Sequence, residues 1–480
     1  KHASRKPWGG LTIKCRNIIN AKAVLTLPER VSMQERDIFY MKRAAKDDFE
    51  YIFQKSYISH KAGRFSEAEK GYIKILEKKP EWGQPMSALG ILYLDQNRPE
   101  KATPLFEKAV GLNPPDLSAC YQLGRLKQME NDHQGAIPLY QQMLEQQPEA
   151  GLVWNNLGVA YRETGKPDDA MTSFRAAVRF APEMAEAWNN LGVALDEQDQ
   201  GEQALKAYQK AIEIQPDYVS PHLNIGIMLQ KRERFKEAET HYRKVLESQP
   251  QNEIAQFMLQ SINGGDTPPD AAPVAHVRSI FNQCAQNFEA ILVEELEYKT
   301  PERLFHMVRP YLSENMEILD LGCGTGLGAV LYRPFAKSLT GVDVSEKMLE
   351  KAAEKKIYSC LEVFDIMQPW VFPLKFDLIY SSDVFVYFGN LDQIIKSAAT
   401  SLAPGGKIAF SVEILEDDTK DYQLYPSGRY AHSRRYIQTC LNRHGLKPLE
   451  LDSTDIRKQS GSPVKGFLVV AEKQECMPNC

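Results

Sequence analysis

The chain has 480 residues, 43% apolar and 25% charged, which excludes a disordered chain or a coiled-coil rod. Acids outnumber bases, 63 to 58, so the net charge is −5 and the broad basic footprint of a nucleic-acid binder is missing. No stretch approaches the ~18 consecutive apolar residues of a membrane span, and eight scattered cysteines suit a reducing cytoplasm better than a disulfide framework.

The first residues stand apart. Lys1, Arg5, Lys6, Lys14, Arg16, Lys22 and Arg30 face a single acid, Glu29, and no apolar core of a secretory signal accompanies them. A basic, acid-poor start also suits a transit peptide. The expectation is a disordered or non-native leader over 1–48 that runs into the first helix, with Met33 as a sensible start.

A period of 34 residues follows. Prolines recur at Pro80, Pro114, Pro148, Pro182, Pro216 and Pro250, and alanines at Ala68, Ala102, Ala136, Ala170, Ala204 and Ala238. Four residues after each alanine stands an aromatic: Tyr72, Phe106, Tyr140, Phe174, Tyr208 and Tyr242. Glycines recur at Gly90, Gly124, Gly158, Gly192 and Gly226. Each unit reads as a helical hairpin, in which a small residue lets two helices meet, an aromatic fills the layer between hairpins and a proline stops the second helix. The pattern resembles the tetratricopeptide repeat, and Trp154, Leu157, Gly158 and Tyr161 match its signature fully. The first unit is degenerate, with Ser56 and Ser59 in place of Gly and Tyr. The expected domain is an all-α solenoid over 49–263, six repeats and a capping helix. The resemblance implies a concave face for extended peptides. Asn156, Asn190 and Asn224, with Gln122 before them, occupy one repeat position, and an amide side chain can both donate to and accept from a peptide backbone. A protein or peptide partner on that ladder is the expectation, beside plain surface asparagine or repeat duplication.

Residues 264–273 read GGDTPPDAAP, too rich in Gly and Pro for a helix. A semi-extended tether is expected over 264–275.

The remainder alternates strands and helices. The run EILDLGCGTGLGA places Asp320 at the end of a short apolar strand and Gly322, Gly324 and Gly326 in the turn after it. Glycines suit a backbone that must turn tightly and touch a ligand. The next strand ends at Asp343, where an acid can accept ribose hydroxyls. A third ends near Asp365, a fourth runs into Ser382 and Asp383, and a fifth follows Pro404-Gly405-Gly406 and ends at Glu413. Two more, near 446–451 and 466–471, would close the sheet. The alternation predicts a doubly wound α/β sheet, Rossmann-like, with ligands at the strands' carboxyl edge.

Residues 276–474 resemble a class I methyltransferase dependent on S-adenosylmethionine. The likeness rests on Asp320 to Gly326, Asp343, Asp365, the fourth-strand segment and Pro404-Gly405-Gly406. The whole chain is similar to bacterial predicted methyltransferases that carry tetratricopeptide repeats. The resemblance implies that Gly322, Cys323, Gly324 and Gly326 contact the methionine portion. Asp343 and Val344 would hold the ribose, Asp365 and Ile366 the adenine, Asp320 the loop or the amino group, with Ser382 nearby. A dinucleotide dehydrogenase is the rival: Leu327 breaks one GxGxxG register, but Gly324, Gly326 and Ala329 fit a GxGxxA.

Side chains facing the transferred methyl should come from strand ends four and five and the loop after them. Asp383, Tyr387, Glu413, Tyr430 and His432 are the catalytic candidates, in a loop that also holds Tyr425, Ser427 and Arg429. Their bland roles are a helix cap, core packing and a Glu413–Arg429 bridge. The segment from Ser279 to Leu304 is amphipathic, and Phe281, Phe288 and Tyr298 could form a lid or a mere packing helix. Cys476 and Cys480, in the 475–480 tail, lack the further ligands of a metal site. The expected function is methyl transfer to a protein or peptide recruited by the repeats. The alternatives are a small-molecule O- or N-methyltransferase docked by its repeats, and a scaffold that only senses the cofactor.

Overall fold

A computed structural model of the chain describes residues 48–265, 268–290, 292, 298–459 and 462–474. The basic leader up to residue 47 and the tail with Cys476 and Cys480 lie outside these residues. Two compact units form, one ending at Met143 and one beginning at Leu144.

Helical hairpins build the first part. They are Phe49–Lys61 with Phe65–Lys78, Gly83–Asp95 with Pro99–Val110, and Leu117–Met129 with His133–Gln146. Three more are Gly151–Glu163 with Pro167–Phe180, Ala185–Glu197 with Gly201–Ile214, and Val219–Lys231 with Phe235–Ser248, before a single helix Glu253–Asn263. The repeated glycine is set by contact. A Cβ on Gly158 would lie 2.6 Å from the Phe174 ring, which is fully buried. In the degenerate first hairpin Ser56 stands at that position, and Gly71 supplies the room across from it. The Ser56 hydroxyl turns back to the Ile52 carbonyl at 2.7 Å, so it leaves no unpaired polar group in the core.

The sheet follows. Its strands are β1 Met316–Leu321, β2 Ala336–Asp343, β3 Cys360–Val363, β4 Phe376–Ser381, β5 Leu402–Ile414, β6 Tyr422–Leu424, β7 Tyr430–His432, β8 Leu446–Gln459 and β9 Ser462–Lys473. Parallel strands run in the order β3-β2-β1-β4-β5. Antiparallel β9 flanks β5 along most of its length, and β8 flanks β9. The expected doubly wound α/β core is therefore present. Two local readings change. Pro404-Gly405-Gly406 lies inside β5 as an irregularity, where the partners of β4 jump from Leu402 to Lys407 and Gly405 takes φ +71°. The segment expected as a polar loop forms the β6–β7 hairpin, whose second strand pairs with the end of β5 through Glu413–Ala431 and Ile414–His432.

From Pro269 to Ala272 the expected tether is a strap bound to the sheet domain. The Asp270 carbonyl accepts from Gly389 N (2.7 Å) and Asn390 N (3.0 Å), and Ala272 N donates to the Tyr387 carbonyl at 2.8 Å. Ala271 and Phe388 form an antiparallel bridge, and the Tyr430 hydroxyl donates to the Pro269 carbonyl at 2.8 Å. Gly and Pro excluded a helix, but they left an extended backbone whose polar groups find partners on the catalytic half.

Within the second unit the repeats also touch the sheet domain directly. Lys347 bonds Glu163 at 2.6 Å. The Gln230 amide donates to Ser261 Oγ (2.9 Å) and to the Pro426 carbonyl (2.6 Å) while it accepts from the Tyr242 hydroxyl (2.7 Å). Phe257, 2% exposed, lies against Gly428 and within 6.3 Å of the Tyr430 ring. Apolar side chains of the later repeats, from Ala170 on, and of the sheet domain form one continuous core. Phe257→Ala should therefore destabilise this unit by about 3–5 kcal/mol. Denaturant unfolding followed by far-UV and near-UV signals should show both transitions shifted together. An unshifted midpoint would mean that the contact contributes nothing.

Candidate active site

Each parallel strand ends at one edge and delivers a side chain there. The turn after β1 is Gly322 to Gly326, with φ +74° at Gly322 and +53° at Gly324, left-handed values that favour glycine. Gly322 N and Cys323 N both donate to the Val342 carbonyl, and Gly324 N donates to Asp343 Oδ2 at 2.9 Å. Asp343 Oδ1 accepts from Ser345 N at 2.8 Å. Burial pushes the Asp343 carboxyl up, and the backbone N–H groups oppose that.

Asp320 lies beneath the turn. The hydroxyls of Tyr358 (2.7 Å) and Tyr380 (2.6 Å) both donate to its Oδ2. Burial raises its pKa to about 7 against those two hydrogen bonds, and the nearby Asp343 charge adds to the rise.

These groups line a cavity of about 1200 Å3, its open mouth included. Among the sequence candidates it brings together Asp320, Gly322, Cys323, Gly324, Asp343, Val344, Asp365, Ile366, Ser382, Asp383 and Tyr387. Asp365 is held by its own turn, where Oδ1 accepts from Met367 N at 2.9 Å. Described residues of the amphipathic segment roof the cavity. Phe281, Phe288 and Tyr298 all line it, and Phe281 meets Phe288 (5.9 Å) and Tyr387 (5.7 Å) edge to face. Polar staples hold that roof, since Glu289 Oε1 accepts from Thr325 Oγ1 and Lys355 Nζ, both at 2.6 Å. Asn282 accepts from Ser345 Oγ at 2.6 Å.

Four candidates sit elsewhere. Gly326 is off the cavity wall; a Cβ there would meet the Tyr358 ring at 2.9 Å, so its task is packing. Tyr430 and His432 belong to β7 and are fully buried. Strand alternation carries them into the core and leaves Arg429, one step earlier, on the cavity wall. The His432 ring donates from Nε2 to the Phe388 and Gly389 carbonyls, and burial pushes its pKa down to about 4. It is a neutral structural histidine and no base for the cavity. Glu413 lies beyond the lining, paired with Arg457.

The charged end of the cavity centres on Asp383, which takes φ +58° directly after β4. Arg457 Nη1 donates to its Oδ1 at 2.7 Å, and Arg457 Nη2 donates to Glu413 Oε1. Arg429 Nη1 lies 3.7 Å from Asp383 and 3.8 Å from Glu413, and Arg429 Nη2 reaches the Tyr387 hydroxyl at 3.5 Å. Burial alone would lower the Arg429 pKa, but Tyr387, Asp383 and Glu413 together raise it, so the guanidinium stays charged. Sequence reasoning missed Arg457, Tyr358 and Tyr380. Arg457 lies in a polar stretch that reads as a surface turn, and nothing local marks it as 3% exposed.

Among the described residues, Asp392, Cys440 and His444 bring three metal-type ligand atoms within 4.8 Å. Arg443 (2.7 Å) and His444 (3.0 Å) already bond Asp392, and burial pushes the Cys440 thiol up to about 12, so the set is spoken for by ion pairs.

Both halves of the chain resemble known proteins. A family described as a methyltransferase domain matches residues 293–451, and tetratricopeptide-repeat families match 85–116, 121–185, 185–218 and 223–249. A malonyl-[acyl-carrier protein] O-methyltransferase of Erwinia pyrifoliae is 28% identical over 146 residues, 30% of this chain and 54% of that protein. A ubiquinone biosynthesis O-methyltransferase of Idiomarina loihiensis is 27% identical over 175 residues, 33% of this chain and 70% of that one. The chain thus spans about half the length of the first of these relatives. Among solved structures, the N-methyltransferase NodS of Bradyrhizobium japonicum with S-adenosyl-L-homocysteine is 24% identical, covering 36% of this chain and 86% of that one, with a TM-score of 0.31. YrrB, a tetratricopeptide-repeat protein with an unusual peptide-binding site, is 23% identical over 40% of this chain and 96% of its own, with a TM-score of 0.33. The chain carries tetratricopeptide repeats followed by a methyltransferase domain.

Proposed function

We propose that this chain is an S-adenosylmethionine-dependent methyltransferase with a small acceptor, and that its repeats dock it to a protein or peptide partner. One observation carries the reading: a single cavity joins the Gly322–Gly324 turn and Asp343 at one end to Tyr387, Asp383 and Arg429 at the other.

The residues fit such a cofactor. Gly322 and Gly324 present bare backbone, and a side chain at Gly322 would collide with Val384. The backbone fixes both Asp343 oxygens, each of which keeps a lone pair for a ribose hydroxyl. Asp365 and Ile366 would border the adenine, and Asp320 would face the amino-acid portion. When bound, the cofactor supplies an electrophilic methyl on a sulfonium sulfur. The chain's own task is alignment and exclusion of water. Phe281, Phe288 and Tyr298 roof the site, and Asp383 and Tyr387 bound the space where an acceptor would lie.

A small acceptor suits these closed aromatic walls. The O-methyltransferase names of the relatives point the same way. A peptide acceptor on the asparagine ladder is the second reading. Asn190 Nδ2 donates to Asn155 Oδ1 (2.9 Å) and Asn224 Nδ2 to Asn189 Oδ1 (3.2 Å), so two of the three candidate asparagines also tie repeat to repeat. Incubating lysate with the full chain and S-adenosylmethionine labelled in its methyl group should put label into the small-molecule fraction. Label confined to protein would favour the peptide reading, and cofactor binding without any transfer would leave a sensor.

Asp343→Ala should weaken cofactor binding by about 1–3 kcal/mol, through loss of charge-assisted hydrogen bonds to the ribose and of the bond that fixes Gly324 N. Titration calorimetry showing unchanged affinity would remove Asp343 from the site.

Asp320 sets a pH dependence. Its carboxyl ionises near 3.8 when unfolded and near 7 in the fold. Between those values the native state holds a proton that the unfolded state has lost, so stability falls as pH rises from about 4 to 7. Asp320→Asn cannot ionise and still accepts from both tyrosines. Scanning calorimetry of the cofactor-free protein should show Tm falling from pH 5 to pH 8, with a smaller fall in the variant. Equal falls would mean that Asp320 is already charged at pH 5.

A further inference from the structure

We propose that the acceptor is a carboxylate, seated on Arg429 and methylated on its own oxygen; this rests on the cavity being a methyl-transfer site. The first ground is an unused donor. Arg429 Nη1 is buried without a hydrogen-bond partner, although the residue lines the cavity. Its nearest carboxylates, Asp383 and Glu413, stand at 3.7 and 3.8 Å, beyond hydrogen-bond reach. Both are already served by Arg457. A buried N–H on a cation with no acceptor is costly unless a ligand supplies one, and a carboxylate matches a guanidinium fork.

The second ground is that each acid among the described cavity residues already has a hydrogen-bond partner, Asp365 in its own turn. A hydroxyl or ammonium acceptor must lose a proton as it is methylated, which calls for a positioned base. Asp320 is bonded by two tyrosines, Asp343 by backbone N–H groups and Asp383 by Arg457. His432 is walled off in the core. A carboxylate needs no base. One of its oxygen lone pairs forms the new O–CH3 bond while the S–CH3 bond of the methyl donor breaks. The bonding pair passes to sulfur, the sulfonium becomes a thioether, and no proton is released. The product is a neutral methyl ester. Phe281, Phe288, Leu292 and Tyr298 then favour an apolar body behind the carboxylate.

Two measurements on the full chain decide this. Without cofactor, phenylglyoxal modification of arginines is mapped by mass spectrometry in octanoate, benzoate or 1-octanol. The carboxylates should slow adduct formation at Arg429 several-fold and the alcohol should not. Protection by neither carboxylate, or equal protection by the alcohol, overturns the proposal. With labelled cofactor and lysate, the labelled small-molecule product is treated with mild alkali. A methyl ester releases its label as volatile methanol, whereas ether or N-methyl label stays in place and overturns the carboxylate acceptor while leaving methyl transfer standing. No labelled product at all overturns methyl transfer itself. Arg429→Gln should lower the initial rate of label transfer roughly 10–100-fold with cofactor affinity unchanged. Arg429→Lys, which keeps the charge and loses the fork, should fall between the two; a full rate in Arg429→Lys and Arg429→Gln alike overturns the assignment.

Discussion

Two carboxylates at the ends of neighbouring strands, Asp383 after β4 on the cavity wall and Glu413 in β5 beyond it, must be neutralised. Leaving a buried carboxylate unpaired costs several kcal/mol, and pairing it demands good geometry and further hydrogen bonds. Arg457 meets both from β8, a strand that reaches this position only because β8 and β9 form a long hairpin against β5. Arg429 approaches from the turn of the β6–β7 hairpin. That hairpin is short, and three-residue strands hold poorly by themselves. Its pairing with β5, the Tyr430 bond to the strap, and the Gln230 bond to Pro426 supply what its length does not. The neutralisation of one acid pair thus draws in the last repeat, the strap and the far edge of the sheet.

Periodic and local features were legible in the sequence; cross-chain features were not. The 34-residue recurrence of Gly, Ala, aromatic and Pro reports contacts made inside one hairpin, such as Gly158 against Phe174, so spacing alone reveals them. The glycine turn and Asp343 are likewise close in the chain, and Gly324 N meets Asp343 only 19 residues on. Arg457 bonds Asp383 across 74 residues, and Gln230 bonds Pro426 across 196. No periodicity encodes those distances. Tyr430 and His432 went astray for a subtler reason. A run of polar and aromatic residues reads as a loop, yet in a strand successive positions face opposite ways, so Arg429 meets the cavity while Tyr430 and His432 go inward.

Composition also misplaced the mobility. The Gly- and Pro-rich stretch after the repeats has the makeup of a flexible linker. A linker stays flexible only while its backbone groups are satisfied by water. Here Pro269, Asp270 and Ala272 find partners on residues 387–390 and on Tyr430, and Ala272 becomes part of the cavity wall. Proline fixes the extended shape in advance and lowers the entropy lost on docking. The residues that forbid a helix thereby favour a strap.

The same amide chemistry serves two ends in the repeats. Asn155 and Asn189 are buried and accept from the asparagine one repeat on, while Asn190 and Asn224, half-buried, donate to them. Gln230, six residues beyond Asn224 on the same helix, turns its donors to Ser261 and Pro426. Its three bonds use both amide donors and one oxygen lone pair, so the last repeat cannot shift without breaking a buried hydrogen bond or carrying the Arg429 turn along. A buried, hydrogen-bonded side chain of this kind transmits position more strictly than apolar packing, which tolerates sliding. The end of the repeat array is in that sense part of the wall that holds Arg429 in the cavity, even though no repeat residue lines the cavity itself.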